Sequence, residues 1–303
     1  MTILMTGLCE KGADQIWKQC NDALYAQGVT WLEEAAYAGD AEAWFFLGHC
    51  YSWGDGAVGF NEKKAYECYL RGASAGSARA VLGALRAGQY DEQMKRSARY
   101  SIEESYRQVR DAAEMGDVYA AWQMGEAVEW EDLADYMPQT ESAREQCLFW
   151  YERAADGGII PAMVKMGKCC QNGTYREKDE KEALRWANQC AASGEVWGLF
   201  QMGEHYRQEE DWEAAFQYDY AAAKQGSSRA MLYLGQMYLN GQGTERDIQA
   251  AVQALEGAAA RNEAESFEEL GNLFYQDELV ERDDEKAFYW YGKAYAAGIK
   301  EAA

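Results

Sequence analysis

Residues 230–238 read Ala-Met-Leu-Tyr-Leu-Gly-Gln-Met-Tyr, and the spacing within them decides the fold. Ala230, Leu234 and Tyr238 stand four apart, which places them on one face of a helix, with Gly235 beside the stripe. The small-x-x-x-large-Gly pattern recurs at Ala43/Leu47/Gly48, Ala78/Leu82/Gly83, Ala120/Met124/Gly125, Ala162/Met166/Gly167, Gly198/Met202/Gly203 and Ser266/Leu270/Gly271. Three residues after each glycine come Tyr51, Arg86, Val128, Cys170, Tyr206, Tyr238 or Phe274, mostly large and apolar. Self-similarity at this interval marks a stack of repeats, each burying its apolar stripe against its neighbours.

A second helix follows the first in each unit. Its copies read Ala65/Cys68/Tyr69/Gly72/Ala73/Gly76, Ala183/Trp186/Cys190/Ala191/Gly194, Ala215/Tyr218/Ala222/Ala223/Gly226 and Ala287/Trp290/Tyr291/Ala294/Gly298. The closing glycine, replaced once by Asn262, suits a left-handed residue just past a helix C-terminus. Those closures divide the chain into units 41–76, 77–116, 117–158, 159–194, 195–226, 227–262 and 263–298. Residues 1–40 form a degenerate leading unit in which Trp31, Ala35, Ala36 and Gly39 match the second helix. Residues 299–303 are a tail in which Glu301-Ala302-Ala303 is similar to the start of another first helix. The expected domain is one solenoid over 1–303.

Glycine inside a helix costs about 1 kcal/mol relative to Ala, so a glycine repeated in one slot needs a compensating contact. Close approach of the second helix supplies it, with that helix's Ala-rich face expected in the tight contact and aromatics beside it.

Composition supports a helical protein: 2 Pro against 11 Trp and 21 Tyr in 303 residues. The net charge of −22, from 51 acidic and 29 basic residues, repels nucleic-acid phosphates and anionic lipids and favours a basic partner. The N-terminus has no basic stretch before a short apolar run, and no segment approaches the length of a membrane span. The cysteines at 9, 20, 50, 68, 147, 169, 170 and 190 show no regular pairing interval, which fits reduced thiols in a cytoplasm.

Taken together, Ala-x-x-x-Leu-Gly-x-x-Tyr, a Gly-rich turn with Asp, then Lys-Ala-x-x-Trp-Tyr-x-x-Ala-Ala-x-x-Gly resembles the Sel-one-like repeat, a relative of the tetratricopeptide repeat. Ala230, Leu234, Gly235, Tyr238, Gly241, Gly243 and Asp247 carry the first half; Asp284, Lys286, Ala287, Trp290, Tyr291, Ala294 and Gly298 carry the second. The resemblance covers 41–298, with units 77–116 and 117–158 departing from it by lacking the glycine turn and the aromatic after Gly83 and Gly125. It implies an all-α, right-handed superhelical solenoid of antiparallel helix pairs that serves as a protein-protein interaction scaffold. It also implies that the first helix of each pair lines the concave side. On that layout Phe45, His49, Trp53, Trp122, Glu126, Trp130, Phe200, Glu204 and Tyr275 face a groove of aromatics interleaved with carboxylates. Such a groove suits a Lys- or Arg-bearing protein or peptide through cation–π contacts and charge-assisted hydrogen bonds. An inhibitor or immunity protein for a basic toxin is one form of this function. A second reading packs several of these aromatics between units. A different functional reading is an extracytoplasmic binder of cell-wall glycopeptide or a related small molecule.

Chemistry is weakly represented. His49 and Cys50 are adjacent on a helix and diverge by about 100°, so they do not form a nucleophile-base pair. Cys9, Cys50, Cys169 and His205 share the slot two after the repeat glycine, which points to packing. Cys169, Cys170 and His205 lie on neighbouring units, too far apart to converge on one metal. No enzyme activity, metal or cofactor is expected, and the chain is expected to be a monomer.

Overall fold

The structure, a computed structural model, describes residues 2–18, 22–54, 58–130, 143–276 and 280–299. Cys20 and the tail residues Glu301, Ala302 and Ala303 lie outside the described residues. Among the described residues there are seventeen helices and no strand. The leading pair is α1 (Thr2–Trp17) and α2 (Asp22–Tyr37), followed by α3 (Ala41–Trp53) with α4 (Glu62–Ala75). Then come α5 (Ala78–Arg86), a short α6 (Glu92–Ser97) and α7 (Ile102–Glu114). The remaining pairs are α8 (Val118–Glu129) with α9 (Ala143–Asp156), α10 (Ile160–Asn172) with α11 (Glu180–Ala192), and α12 (Val196–Gln208) with α13 (Trp212–Lys224). Last are α14 (Ser228–Asn240) with α15 (Ile248–Ala259) and α16 (Ala264–Tyr275) with α17 (Asp284–Ala296). The architecture is the expected α/α solenoid of antiparallel pairs. The chain divides into two compact units, Met1–Trp186 and Ala187–Ala303, with the division falling inside α11.

Local chemistry sets the helix ends. Gly39, Gly76, Gly116, Gly158, Gly194, Gly226 and Gly298 all have positive φ, between 80° and 104°, and Asn262 takes their place at 60°. The closing slot is therefore left-handed in every unit, which is why glycine or asparagine recurs there. At the other ends, Asp40, Asn61, Ser77, Asp117, Asp211, Ser227, Asp247 and Asp283 accept backbone N–H bonds as N-caps. Glu104 completes a capping box with Ser101. Five of these caps are aspartates, whose negative charge is favoured at a helix N-terminus.

The repeat glycines pack as expected in direction but not in detail. A Cβ added at Gly48, Gly125 or Gly271 would lie 2.6–2.7 Å from the ring of Tyr69, Tyr151 or Tyr291. At Gly235 it would meet Leu255 at 2.6 Å, and at Gly203 the Asp219 carboxylate at 2.5 Å. The contact is made by one large or charged side chain, four residues after the second helix's first small residue, and not by its Ala-rich face. The ring must cross the first helix to bring its hydroxyl to a polar partner. Tyr151 donates to Glu129 at 2.7 Å, Tyr291 donates to Asn272 at 2.8 Å, and Ser52 donates to Tyr69 at 3.2 Å.

Candidate functional site

In the first compact unit six predicted groove residues occur, and three of them are buried. Phe45, His49 and Trp122 are only 1%, 7% and 5% exposed. Trp17, from α1, packs against this cluster, its ring centre 5.4 Å from His49, 5.8 Å from Trp122 and 5.2 Å from Phe46. His49 and Trp122 themselves approach to 4.7 Å. These three side chains, expected on an open groove, are buried together in an aromatic cluster. Trp53 and Trp130 remain half-exposed at 50% and 59%. Arg86 stands between them, its guanidinium carbon 5.2 Å from the Trp53 ring and 4.5 Å from the Trp130 ring. The cation that this pair of tryptophans was expected to take from a partner is supplied by the chain itself. Below Arg86, a cavity bounded by Phe45, His49, Trp53, Tyr69 and Glu126 measures only about 20 Å³, room for about one water.

Arg86 was visible in the sequence as the cation in a slot that is mostly large and apolar elsewhere. Trp17 carried no such signal, since its role depends on how α1 meets α3 and α8 in space.

The same unit has a roomier opening, about 590 Å³, between α1, α3 and the turn into α8. Its walls include Glu10, Asp40, Glu42 and Asp117, together with Arg79, Lys18, Phe46 and Tyr119. Both cations are already engaged: Arg79 pairs with Asp117 and lies 3.7 Å from Glu42, and Lys18 lies 2.9 Å from Asp14. Burial pushes the Glu42 carboxyl up from the usual range, against the pull of Arg79.

In the second unit Phe200 and Glu204 are partly exposed and Tyr275 is 52% exposed. Phe200 lies 6.1 Å from Tyr233 on α14, and Arg207 crosses the Tyr233 ring at 3.7 Å. Tyr275 stands apart from that cluster, under Arg282 at 4.9 Å. Beside Arg207 is an opening of about 410 Å³ lined by Trp212, Tyr233, Gln236, Asn240, Gln242 and Glu269. Arg207 also pairs with Asp219, which is fully buried. Burial pushes the Asp219 carboxyl up to about 6 despite Arg207.

The seven described cysteines are buried and form no disulfide among the described residues. Burial pushes the Cys68 and Cys147 thiols up to about 12, which keeps them protonated and poor nucleophiles. No group of three His, Cys, Asp or Glu side chains that could hold a metal occurs among the described residues. No helix among them is long and apolar enough to cross a membrane.

The Sel1 repeat family model matches residues 22–40, 41–77, 118–159, 160–195, 228–262 and 268–299. The chain belongs to the Sel1 repeat family. Sel1 repeat proteins generally mediate protein-protein interaction and are generally non-enzymatic. Two helix pairs fall outside the match: α5/α7, interrupted by α6, and α12/α13, where Asp219 replaces the aromatic of the repeat. A crystal structure of a protective antigen present in uropathogenic Escherichia coli strains aligns with a TM-score of 0.65 at 21% identity, covering 90% of this chain and 57% of that one. A Sel1 repeat protein from Oxalobacter formigenes aligns with a TM-score of 0.55 at 21% identity, covering 98% and 84%. An uncharacterized protein of Neisseria meningitidis serogroup B is 26% identical over 195 residues, 63% of this chain and 38% of that protein. The chain thus spans well under half of that relative's length.

Proposed function

We propose that this Sel1 repeat chain is a monomeric cytoplasmic scaffold that binds a basic protein or a basic segment of one. The observation that carries the reading is the opening in the first unit, where Glu10, Asp40, Glu42 and Asp117 outnumber Arg79 and Lys18 and both cations are already paired. A Lys or Arg side chain entering it gains charge-assisted hydrogen bonds and favours the ionised form of Glu42 against the cost of its burial. The net charge of −22 adds long-range steering toward such a partner. The buried thiols support a reducing compartment. Trp53 and Trp130 contribute their outer faces and edges, since Arg86 fills the space between them.

Affinity capture from native lysate, at low and high salt with mass-spectrometric identification, tests this. Wild type is expected to retain one basic protein, released by salt. The Glu10→Gln/Glu42→Gln variant is expected to lose it, and Trp53→Ala/Trp130→Ala to hold it less tightly while keeping wild-type helicity. If an enzyme is captured and loses activity on binding, the scaffold is an inhibitor. Retention that is indifferent to salt and to the Glu10→Gln/Glu42→Gln change would overturn the basic-partner reading.

A further inference from the structure

The second compact unit presents a different surface chemistry. On α14, Tyr233, Gln236, Met237 and Asn240 fall at i, i+3, i+4 and i+7, a single helix face. Gln242 follows in a turn whose Gly241 and Gly243 both have positive φ, 66° and 68°. A side chain at Gly243 would run into the backbone carbonyl of Trp212, so this turn is seated directly on the start of α13. That close approach sets Gln242 and Trp212 as adjoining walls of the 410 Å³ opening, with Arg207 and Glu269 among its other walls.

The polar groups here are carboxamides more than charges. Gln236 donates from Nε2 to Glu269 at 2.9 Å, which fixes its amide plane and leaves its oxygen and second N–H available. Asn240 and Gln242 are joined by only one long contact, 3.5 Å. Arg207 is neutralised by Asp219, and Glu269 has no cationic partner among the described residues. A carboxamide offers a donor and an acceptor in the same arrangement as a peptide bond, so a row of them pairs with a main chain whatever its side chains. Glu269 adds a place for one cation.

We infer that this groove binds an extended peptide segment, pairing its main chain with Gln236, Asn240 and Gln242 and taking a Lys or Arg side chain at Glu269. The inference rests on the scaffold reading and adds what the basic partner presents: an unfolded or looped-out stretch whose backbone is read directly. It also assigns the two units different tasks, with charge read in the first and main chain in the second.

The test titrates the full chain with an acetylated, amidated decapeptide of alternating glycine and lysine, followed by tryptophan fluorescence and calorimetry. A counterpart N-methylated at each glycine keeps the charge and removes main-chain donors. The N-methylated peptide is expected to bind about tenfold more weakly, the scale of one or two lost hydrogen bonds. Gln236→Ala/Asn240→Ala is expected to weaken the parent peptide by a similar factor while circular dichroism stays unchanged, and Glu269→Gln to flatten the salt dependence. Equal affinity for both peptides, or an undiminished affinity in the folded double variant, would exclude main-chain reading. No binding of the parent peptide up to millimolar concentration would also overturn the groove, while the capture experiment still decides the scaffold reading on its own.

Discussion

Asp219 sits where other units place Tyr69, Tyr151, Leu255 or Tyr291 against the repeat glycine. Its partner Arg207 stands four residues after Gly203, as Ser52 stands after Gly48 and Glu129 after Gly125. The fifth unit has therefore exchanged a ring-hydroxyl contact for a buried ion pair, with no change in backbone plan. Burial raises the Asp219 carboxyl to about 6, above the roughly 3.9 of an unfolded chain. Between those values the folded state holds a proton that the unfolded state has released, so this group's contribution to stability falls as pH rises from about 4 through 6. Asp219→Asn removes the titration while keeping an oxygen for Arg207. Thermal midpoints measured from pH 4 to 7 are expected to decline more steeply in wild type than in the variant; parallel curves would show that the carboxyl titrates normally.

At the level of elements, the glycine of the first helix and the large residue of the second act as one unit. Overpacking a tight site costs roughly 1–3 kcal/mol, so Gly125→Val should lower stability by that order through collision with Tyr151. Tyr151→Ala costs stability on its own by leaving a cavity. Combined, the two changes should be less damaging than their sum, with a coupling on the order of 1 kcal/mol by double-mutant cycle in urea. Strict additivity would show that the ring does not require the glycine. Gly235→Val, facing Leu255, should behave in the same direction.

For the first compact unit as a whole, Trp17 joins elements far apart in sequence. It touches Phe46 and His49 of α3 and Tyr119 and Trp122 of α8, and Tyr119 donates to Asp14 of α1 at 2.6 Å. Trp17 is nearly completely buried, and Trp→Ala in a core costs roughly 3–5 kcal/mol. Trp17→Ala should lower the midpoint of this unit on the order of 10 °C, and amides of α1 should exchange faster than those of α2. Unchanged exchange in α1 would show that its pairing with α2 suffices to hold it.

The repeat, its pairing of helices and its left-handed closures were legible because each depends on residues within one unit. Ala230, Leu234, Gly235 and Tyr238 announce a helix stripe by spacing alone, and Gly39 through Gly298 announce the closures by lacking a Cβ. Arg86 and Asp219 stood in plain view as misfits in aligned slots, though their partners did not. The fate of Phe45, His49 and Trp122 could not be read locally, because the repeat pattern says which helix face they occupy but not how closely the next helices approach. That approach packs Trp17 and Arg86 against predicted groove residues of the first unit, while the second unit keeps its carboxamide-lined opening. Short-range spacing determined what the elements are; long-range packing decided which of their faces a partner can reach.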